Sequence, residues 1–444
     1  MTRHPLLLIV LVTIGLVLAC RYSAVAAESG PGAVANVTVP PLAQSGSSTF
    51  ATIEPLSLPE PSPQAIRRYH SGNVLWVIAT LWGFVVPGVI FFSGLSARLR
   101  DRARRLQPRW YLTFLLYLVF LTYIIFLADL PLDYYTDFVW QHEYGISAQT
   151  FGKWSKDELL TLTIDIIGFA LVLWIPFLLL KRTPSRWWLY TWVASIPIMV
   201  FMAFVQPIWV DPLFNHFGPM HDQALESKIL QLASRAGIEG AKVYEVNKSV
   251  DTNMVNAYVT GIGSTKRIVL WDTTLKAFSP DEVALVMSHE MGHYRLRHSW
   301  EDLILQSLAM LAGLAFIHIS AGWILRHFSA RSGVHELGDV ASLPLFMLLF
   351  NLVIFVLMPP LLAVSRHDEH EADRFALEMT HDSRSCGGVA VKFMELTLAY
   401  PNPSPIVIFF RASHPPLSER LAFCNTYQPW RQGQAERYSR YFNP

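Results

Sequence analysis

The chain has 444 residues, a formal net charge of +1, and 52% hydrophobic against 16% charged side chains. That balance lies well off the soluble norm. It argues against a large soluble all-α protein, leaves no basic excess to suggest a nucleic-acid partner, and points to a lipid bilayer.

The N-terminus has its own character. Met1–Pro5 carries Arg3, Leu6–Leu18 is apolar, and Ala24-Val25-Ala26 offers a small-x-small site. This is the layout of a secretory signal peptide over residues 1–27, with an uncleaved first membrane helix as the alternative. Cys20 after Ala19 hints at a lipoprotein site, which Leu18 and Arg21 fit poorly. Residues 28–63 are rich in Pro, Ser, Gly and Ala without apolar period, and read as a flexible exported linker.

Residues 64–210 hold four apolar windows, Asn73–Leu95, Trp110–Ala128, Leu159–Leu180 and Trp187–Val210, each long enough to span about 30 Å of hydrocarbon. Two short basic loops separate them in pairs: Ser96–Arg109 has six arginines against one aspartate, and Lys181–Arg186 has three positive charges. Residues 211–302 form the main non-membrane stretch, with helical periodicity in Leu225–Ala236 and strand-like segments at Lys242–Val246 and Arg267–Trp271. Two further windows, Leu303–Leu325 and Leu343–Val364, complete six spans and lead into residues 365–444. Asp165, His318 and Asn351 fall inside spans, where such groups should face protein or a water-filled cavity.

His289-Glu290-Met291-Gly292-His293 reads H-E-x-x-H behind a clear helix start. Ser279 is an N-cap hydroxyl, Pro280 suits the first helical position, and Glu282 stands at the capping-box position. Four-residue spacing puts His289 and His293 one turn apart on one face, where both imidazoles reach a single zinc ion. Glu290 beside that face can take a proton from water at the metal. A third ligand is needed, and Ser365–Asp373 supplies candidates in excess. Glu369 and Asp373 share a face by i,i+4 spacing, and Ala372 between them permits close helix packing. Glu371 points elsewhere, while His367 and His370 remain possible ligands. His298, His318, His327, His335 and His381 have no partner at ligand spacing and read as surface or satisfied core histidines. Cys386 and Cys424 are too few for a zinc finger, and their pairing is not readable from the sequence.

These motifs carry a resemblance. Lys266–Leu275 followed by Ser279–His293, Glu369-His370-Glu371-Ala372-Asp373, Asn256-Ala257-Tyr258 and Ser413–Leu421 resemble motifs of the integral-membrane type I CAAX prenyl endopeptidases and their bacterial relatives. A weaker likeness reaches Tyr144–Thr150, so the resemblance covers roughly residues 65–425. It implies that Glu369 is the third zinc ligand, and that Asp373 hydrogen-bonds a ligand imidazole. Asn256, Ala257 and Tyr258 would lie in the strand beside the substrate, His414 would stabilise the oxyanion, and Arg420 follows at the family spacing. The plainer alternatives are a strand terminus for Asn256 and a helix bridge for Arg420.

The expected protein is therefore an all-α multi-pass membrane protein with a small α+β zincin-type catalytic region. It would bind one zinc per chain and cleave peptide segments of membrane-associated or exported proteins. A heat-shock type membrane protease has fewer spans, a transporter would need interrupted inverted repeats, and a structural metal site or silent scaffold has no use for Glu290. The positive-inside rule puts both basic loops in the cytoplasm of a bacterial inner membrane and the catalytic stretch in the periplasm. The resemblance implies the opposite face, because eukaryotic members turn their zinc towards the cytosol.

Overall fold

The computed structural model describes residues 55–261 and 265–442. The expected leader and most of the linker lie outside the described residues. Among the described residues, five helices are long and apolar enough to cross a membrane: Pro63–Phe92, Trp110–Glu143, Phe151–Arg182, His298–Ser332 and Val340–Thr380. Trp187–Ala203 and Gln206–Leu213 make a sixth crossing if taken as one span, bent by 43°. Pro207 and the wide π-helical turn Gln206–Val210 coincide with the bend. The fold is that of a multi-pass helical membrane protein with a small four-stranded sheet in its catalytic region.

Helix α1 (Pro63–Phe92) starts at a proline behind the Ser62 cap. At its far end Gly94, with φ 71°, redirects the chain, and a Cβ there would sit 3.2 Å from the Arg331 carbonyl oxygen. The stretch expected as a short loop from Ser96 is instead helix α2, Leu95–Leu106. Its small residues Ser96, Ala97 and Ala103 are buried on one face, which gave the arginines a helical scaffold that composition alone did not reveal. Ser96 Oγ donates to the Ala341 carbonyl at 2.7 Å, and Arg100 pairs with Asp339. The basic helix thus sits on the turn joining α9 (His298–Ser332) to α10 (Leu343–Thr380). Lys181, from the second basic stretch, approaches the same turn at Gly338.

Helices α3 (Trp110–Asp133), α4 (Phe151–Val172), α5 (Trp174–Arg182) and α6 (Trp187–Val205) complete the first membrane region. Beyond it the chain builds α7 (Gln223–Arg235) and the sheet order β1-β2-β4-β3, with β1 Phe217–Pro219, β2 Lys242–Val246, β3 Ala257–Thr260 and β4 Arg267–Trp271. β2 and β4 are parallel, while β1 and β3 run antiparallel at the two edges. Alternation divides the strand side chains between two cores. Val243, Ala257, Ile268 and Leu270 join α7 and α8 (Pro280–Leu296), while Val246, Val269 and Trp271 pack with Trp140 and Ile146. The segment after Trp140–Glu143 is sewn to the loop before β3: Asn253 N donates to the Ile146 carbonyl at 2.8 Å, and Ala148 N to that of Asp251 at 3.0 Å. A buried polar cluster secures this seam, with Asp251 2.7 Å from both Lys153 Nζ and Asn215 Nδ2, and Lys248 beside them.

After α10, helices α11 (Ser383–Thr397), α12 (Pro405–Arg411) and α13 (Leu417–Thr426) return across the catalytic region. A Cys386–Cys424 disulfide joins α11 to α13.

Candidate metal centre and active site

The H-E-x-x-H residues belong to α8, which begins where the cap residues predict. Ser279 N donates to Glu282 Oε2 at 2.7 Å and Glu282 N to Ser279 Oγ at 3.4 Å, a reciprocal capping box. Lys392 from α11 ties down the same carboxylate at 2.6 Å. The histidine face of α8 crosses α10 at very close range. A Cβ on Gly292 would lie 3.3 Å from Ala372 Cα and 3.1 Å from Phe375 Cβ, so glycine here sets the approach of the two helices. Ala372 is fully buried in that crossing. The short separation carries Glu369 to the two imidazoles, although it lies 76 residues beyond His293.

His289 Nε2 is 3.1 Å from His293 Nε2 and 3.2 Å from Glu369 Oε2, and His293 Nε2 is 3.4 Å from Glu369 Oε1. A tetrahedral metal with bonds of about 2.0–2.1 Å needs ligand atoms roughly 3.3–3.4 Å apart, so these three fit a small divalent cation. Glu369 Oε2 is buried without a hydrogen-bond donor, as a carboxylate oxygen reserved for a cation would be.

Asp373 stands one turn after Glu369, with Oδ1 2.9 Å from His289 Nδ1. Arg420 of α13 holds the same carboxylate through two hydrogen bonds. Burial of His289 disfavours its charged form, but Asp373 and Glu369 outweigh it and push the metal-free imidazole up to about 10. Glu290 borders a chamber of about 500 Å³. Burial raises its carboxyl above the usual range, with His289 and His293 opposing. A raised carboxyl suits a group that must take and return a proton.

The same chamber is bounded by Asn256, Ala257, Phe393, Val407 and His414. His414 Nε2 lies 3.2 Å from Glu369 Oε1, and its Nδ1 lies 2.8 Å from Ser413 Oγ. A ring so placed can offer an N–H towards an oxygen held at the metal position.

The model for peptidase family M48 matches residues 219–427, and that for the CAAX prenyl protease N-terminal region, five membrane helices, matches residues 68–216. An uncharacterized metalloprotease of Bacillus subtilis, YhfN, is 38% identical over 376 residues, covering 83% of this chain and 87% of its own. The chain belongs to peptidase family M48. The CAAX prenyl protease 1 homolog of Arabidopsis thaliana is 32% identical over 300 residues, covering 66% of this chain and 69% of its own. The crystal structure of Ste24p from S. mikatae shares the fold with a TM-score of 0.70 at 20% identity, over 95% of this chain and 99% of that one. The protein is a membrane metalloendopeptidase, not a transporter or scaffold.

In this M48 peptidase the other sequence candidates separate clearly. Glu371 is held away from the metal cluster by Arg374, Arg437 and Tyr438, and His370 packs beside Arg374 and Phe423. The metal-type grouping takes in neither His367 nor His370. Asn256 and Ala257 reach the chamber wall, whereas Tyr258 turns to the opposite face of the sheet by strand alternation. β3 pairs with β4 alone, so its outer edge has no strand partner among the described residues. Asp165, His318 and Asn351 do not line this chamber. His318 accepts from Trp187 Nε1 at 3.2 Å, and Asn351 donates to the Gly83 carbonyl at 2.6 Å. His327 and His381 are satisfied locally, by the Trp323 carbonyl and Glu436.

His298 is a satisfied core histidine, and its partner is His293. It is 6% exposed, and its Nδ1 lies 2.9 Å from His293 Nδ1. An uninterrupted helix would turn position i+5 about 140° away from position i, which is why spacing gave no hint of the pair. The disulfide was likewise unreadable, since it depends on how α11 and α13 pack around Gly387.

Proposed function

We propose that the protein is a zinc-dependent endopeptidase that cleaves extended peptide segments of membrane-associated or exported proteins. The observation that carries the reading is the near-tetrahedral spacing of His289, His293 and Glu369, with Glu290 next to His289 on the chamber wall. Zinc held by these three would polarise the scissile carbonyl and lower the pKa of an adjacent water. Glu290 takes a proton from the attacking water and delivers it to the leaving amine. His414 donates to the developing oxyanion. Asp373, 2.9 Å from His289 Nδ1, would accept from it and orient Nε2 towards the metal position, while Arg420 fixes Asp373. The outer edge of β3, beside Asn256 and Ala257 on the chamber wall, receives the substrate backbone as an added strand. Relatives named CAAX prenyl proteases support a lipid-modified C-terminus as one substrate class. The composition of residues 28–63, read as an exported linker, is the support for exported proteins as another.

The protein would lie in the inner membrane of a bacterium with its catalytic face in the periplasm. Support comes from the basic helix α2 and Lys181, which meet at the Gly333–Asp339 turn, the opposite end of α9 and α10 from the metal cluster.

The test is purification with metal analysis. One zinc per chain is expected, retained in Glu290→Gln without turnover and reduced in Glu369→Ala. Full zinc in Glu369→Ala would move the third-ligand role to Glu371, His367 or His370, and turnover by Glu290→Gln would remove it as the base. The Glu290→Gln protein also serves to trap substrates for identification by mass spectrometry.

A further inference from the structure

We infer that His298 is the positioning residue for His293, accepting the His293 Nδ1–H hydrogen bond and so aiming the Nε2 lone pair at the metal. The inference rests on the zinc-ligand reading of His289, His293 and Glu369. His293 Nε2 faces the other two ligands, so its Nδ1 is the outward nitrogen. Two ring nitrogens 2.9 Å apart require one donor and one acceptor. A neutral ligand imidazole bonding through Nε2 carries its proton on Nδ1, which makes His293 the donor. His298 must then accept at Nδ1 and carry its own proton on Nε2. That nitrogen points towards Asp368 Oδ1, 3.9 Å away, and His298 and Asp368 are each 6% exposed.

The backbone is shaped to make this pair. Arg297 ends α8 and precedes α9 at φ 69°, ψ 28°, a left-handed conformation uncommon for a residue with a side chain. Glycine is the usual occupant of such a helix end. The break swings His298 back onto His293, against the angle a continuous helix would give. The two ligand histidines are thereby supported differently: His289 by the arginine-clamped carboxylate of Asp373, His293 by a neutral imidazole. A histidine that merely filled the core would be replaceable by an apolar residue of similar size.

That contrast defines the experiment, on full-length protein in detergent. The zinc dissociation constant is measured by chelator competition for the parent and for His298→Leu, His298→Ala and His298→Asn, with the melting temperature of each metal-free protein. Asparagine presents an amide oxygen near the place of Nδ1; leucine and alanine present no acceptor. Expected is a loss of about 10–100-fold in zinc affinity for Leu and Ala, and recovery of most of it in Asn. If the leucine protein fails to fold, the alanine and asparagine pair decides the same question. Equal affinities in Ala and Asn, or unchanged affinity in Leu, overturn the inference while the parent still binds zinc. A parent that binds no zinc overturns the ligand reading itself, and this inference with it.

Discussion

Arg420 grips Asp373 through two parallel hydrogen bonds, Nε to Oδ2 at 2.8 Å and Nη2 to Oδ1 at 2.6 Å, and the second oxygen also lies 2.9 Å from His289 Nδ1. An arginine on α13 thus holds a carboxylate on α10 that stands beside an imidazole on α8. Removing it strands a buried anion, a change that typically costs roughly 3–5 kcal/mol. Arg420→Ala should lower zinc affinity by about tenfold or more and depress kcat. Arg420→Lys should recover only part of this, since an ammonium cannot reproduce the two-pronged contact. Chelator competition reads both, and parent-like affinity in Arg420→Ala would reduce the residue to a helix bridge.

His414 stands on the chamber wall beside Glu369, on a segment that follows α12 and precedes α13. A donor to the oxyanion contributes in the transition state rather than in substrate binding. His414→Ala should lower kcat by about 10²–10³ and leave KM and zinc content little changed. A kcat equal to that of the parent in a peptide-cleavage assay would return His414 to a role in the turn.

The legible parts of this protein were the local ones. Ser279, Pro280 and Glu282 fix the start of α8 because a cap acts within one helical turn. The apolar windows locate the spans because membrane thickness dictates their length. Glu369 and Asp373 share a face, and Ala372 marks a close crossing, because both follow from helical periodicity. The choice among Glu369, Glu371, His367 and His370 depends on the phase of α10 against α8, fixed by the Gly292–Ala372 approach. No spacing rule contains that phase; only the resemblance supplied it. The His298–His293 pair was illegible for a sharper reason: it requires Arg297 to take a conformation that nothing in its side chain announces.

The seam between residues 145–148 and 251–253 should be sensitive to acid. Burial raises the Asp251 carboxyl, but Lys153, Lys248 and Asn215 outweigh it and hold the carboxyl below its usual value of 3.8. A depressed folded-state pKa contributes stability that is complete above the unfolded value and disappears as pH falls through the lower, folded one. Melting temperature should therefore drop below about pH 4 in the parent. Asp251→Asn should flatten that acid limb and, by leaving Lys248 buried without its anion, lower stability at neutral pH by about 3–5 kcal/mol. An unchanged acid limb in the variant would show that other carboxylates dominate.

The orientation prediction draws on features far apart in sequence. Leu56 N donates to Asn425 Oδ1 at 3.2 Å and Asn425 Nδ2 to the Leu56 carbonyl at 2.9 Å, so the chain enters α1 from the side that carries α13 and the metal cluster. An exported linker ahead of Leu56 would share its compartment with the catalytic residues. The Cys386–Cys424 bond lies on that side too, and disulfides persist in oxidising compartments and not in the bacterial cytosol. The arginines of α2 gather at the opposite end of the long helices, where the positive-inside rule expects the cytoplasm. Charge and disulfide thus favour a periplasmic catalytic face, as an exported linker would, against the cytosolic orientation that the eukaryotic resemblance implies. Alkaline phosphatase fused after Pro280 should be active, and green fluorescent protein fused there should be dark. Fusions after Arg105 should behave the other way round. Fluorescence at Pro280 with phosphatase activity at Arg105 would overturn the periplasmic assignment and leave the disulfide without an oxidising compartment to form in.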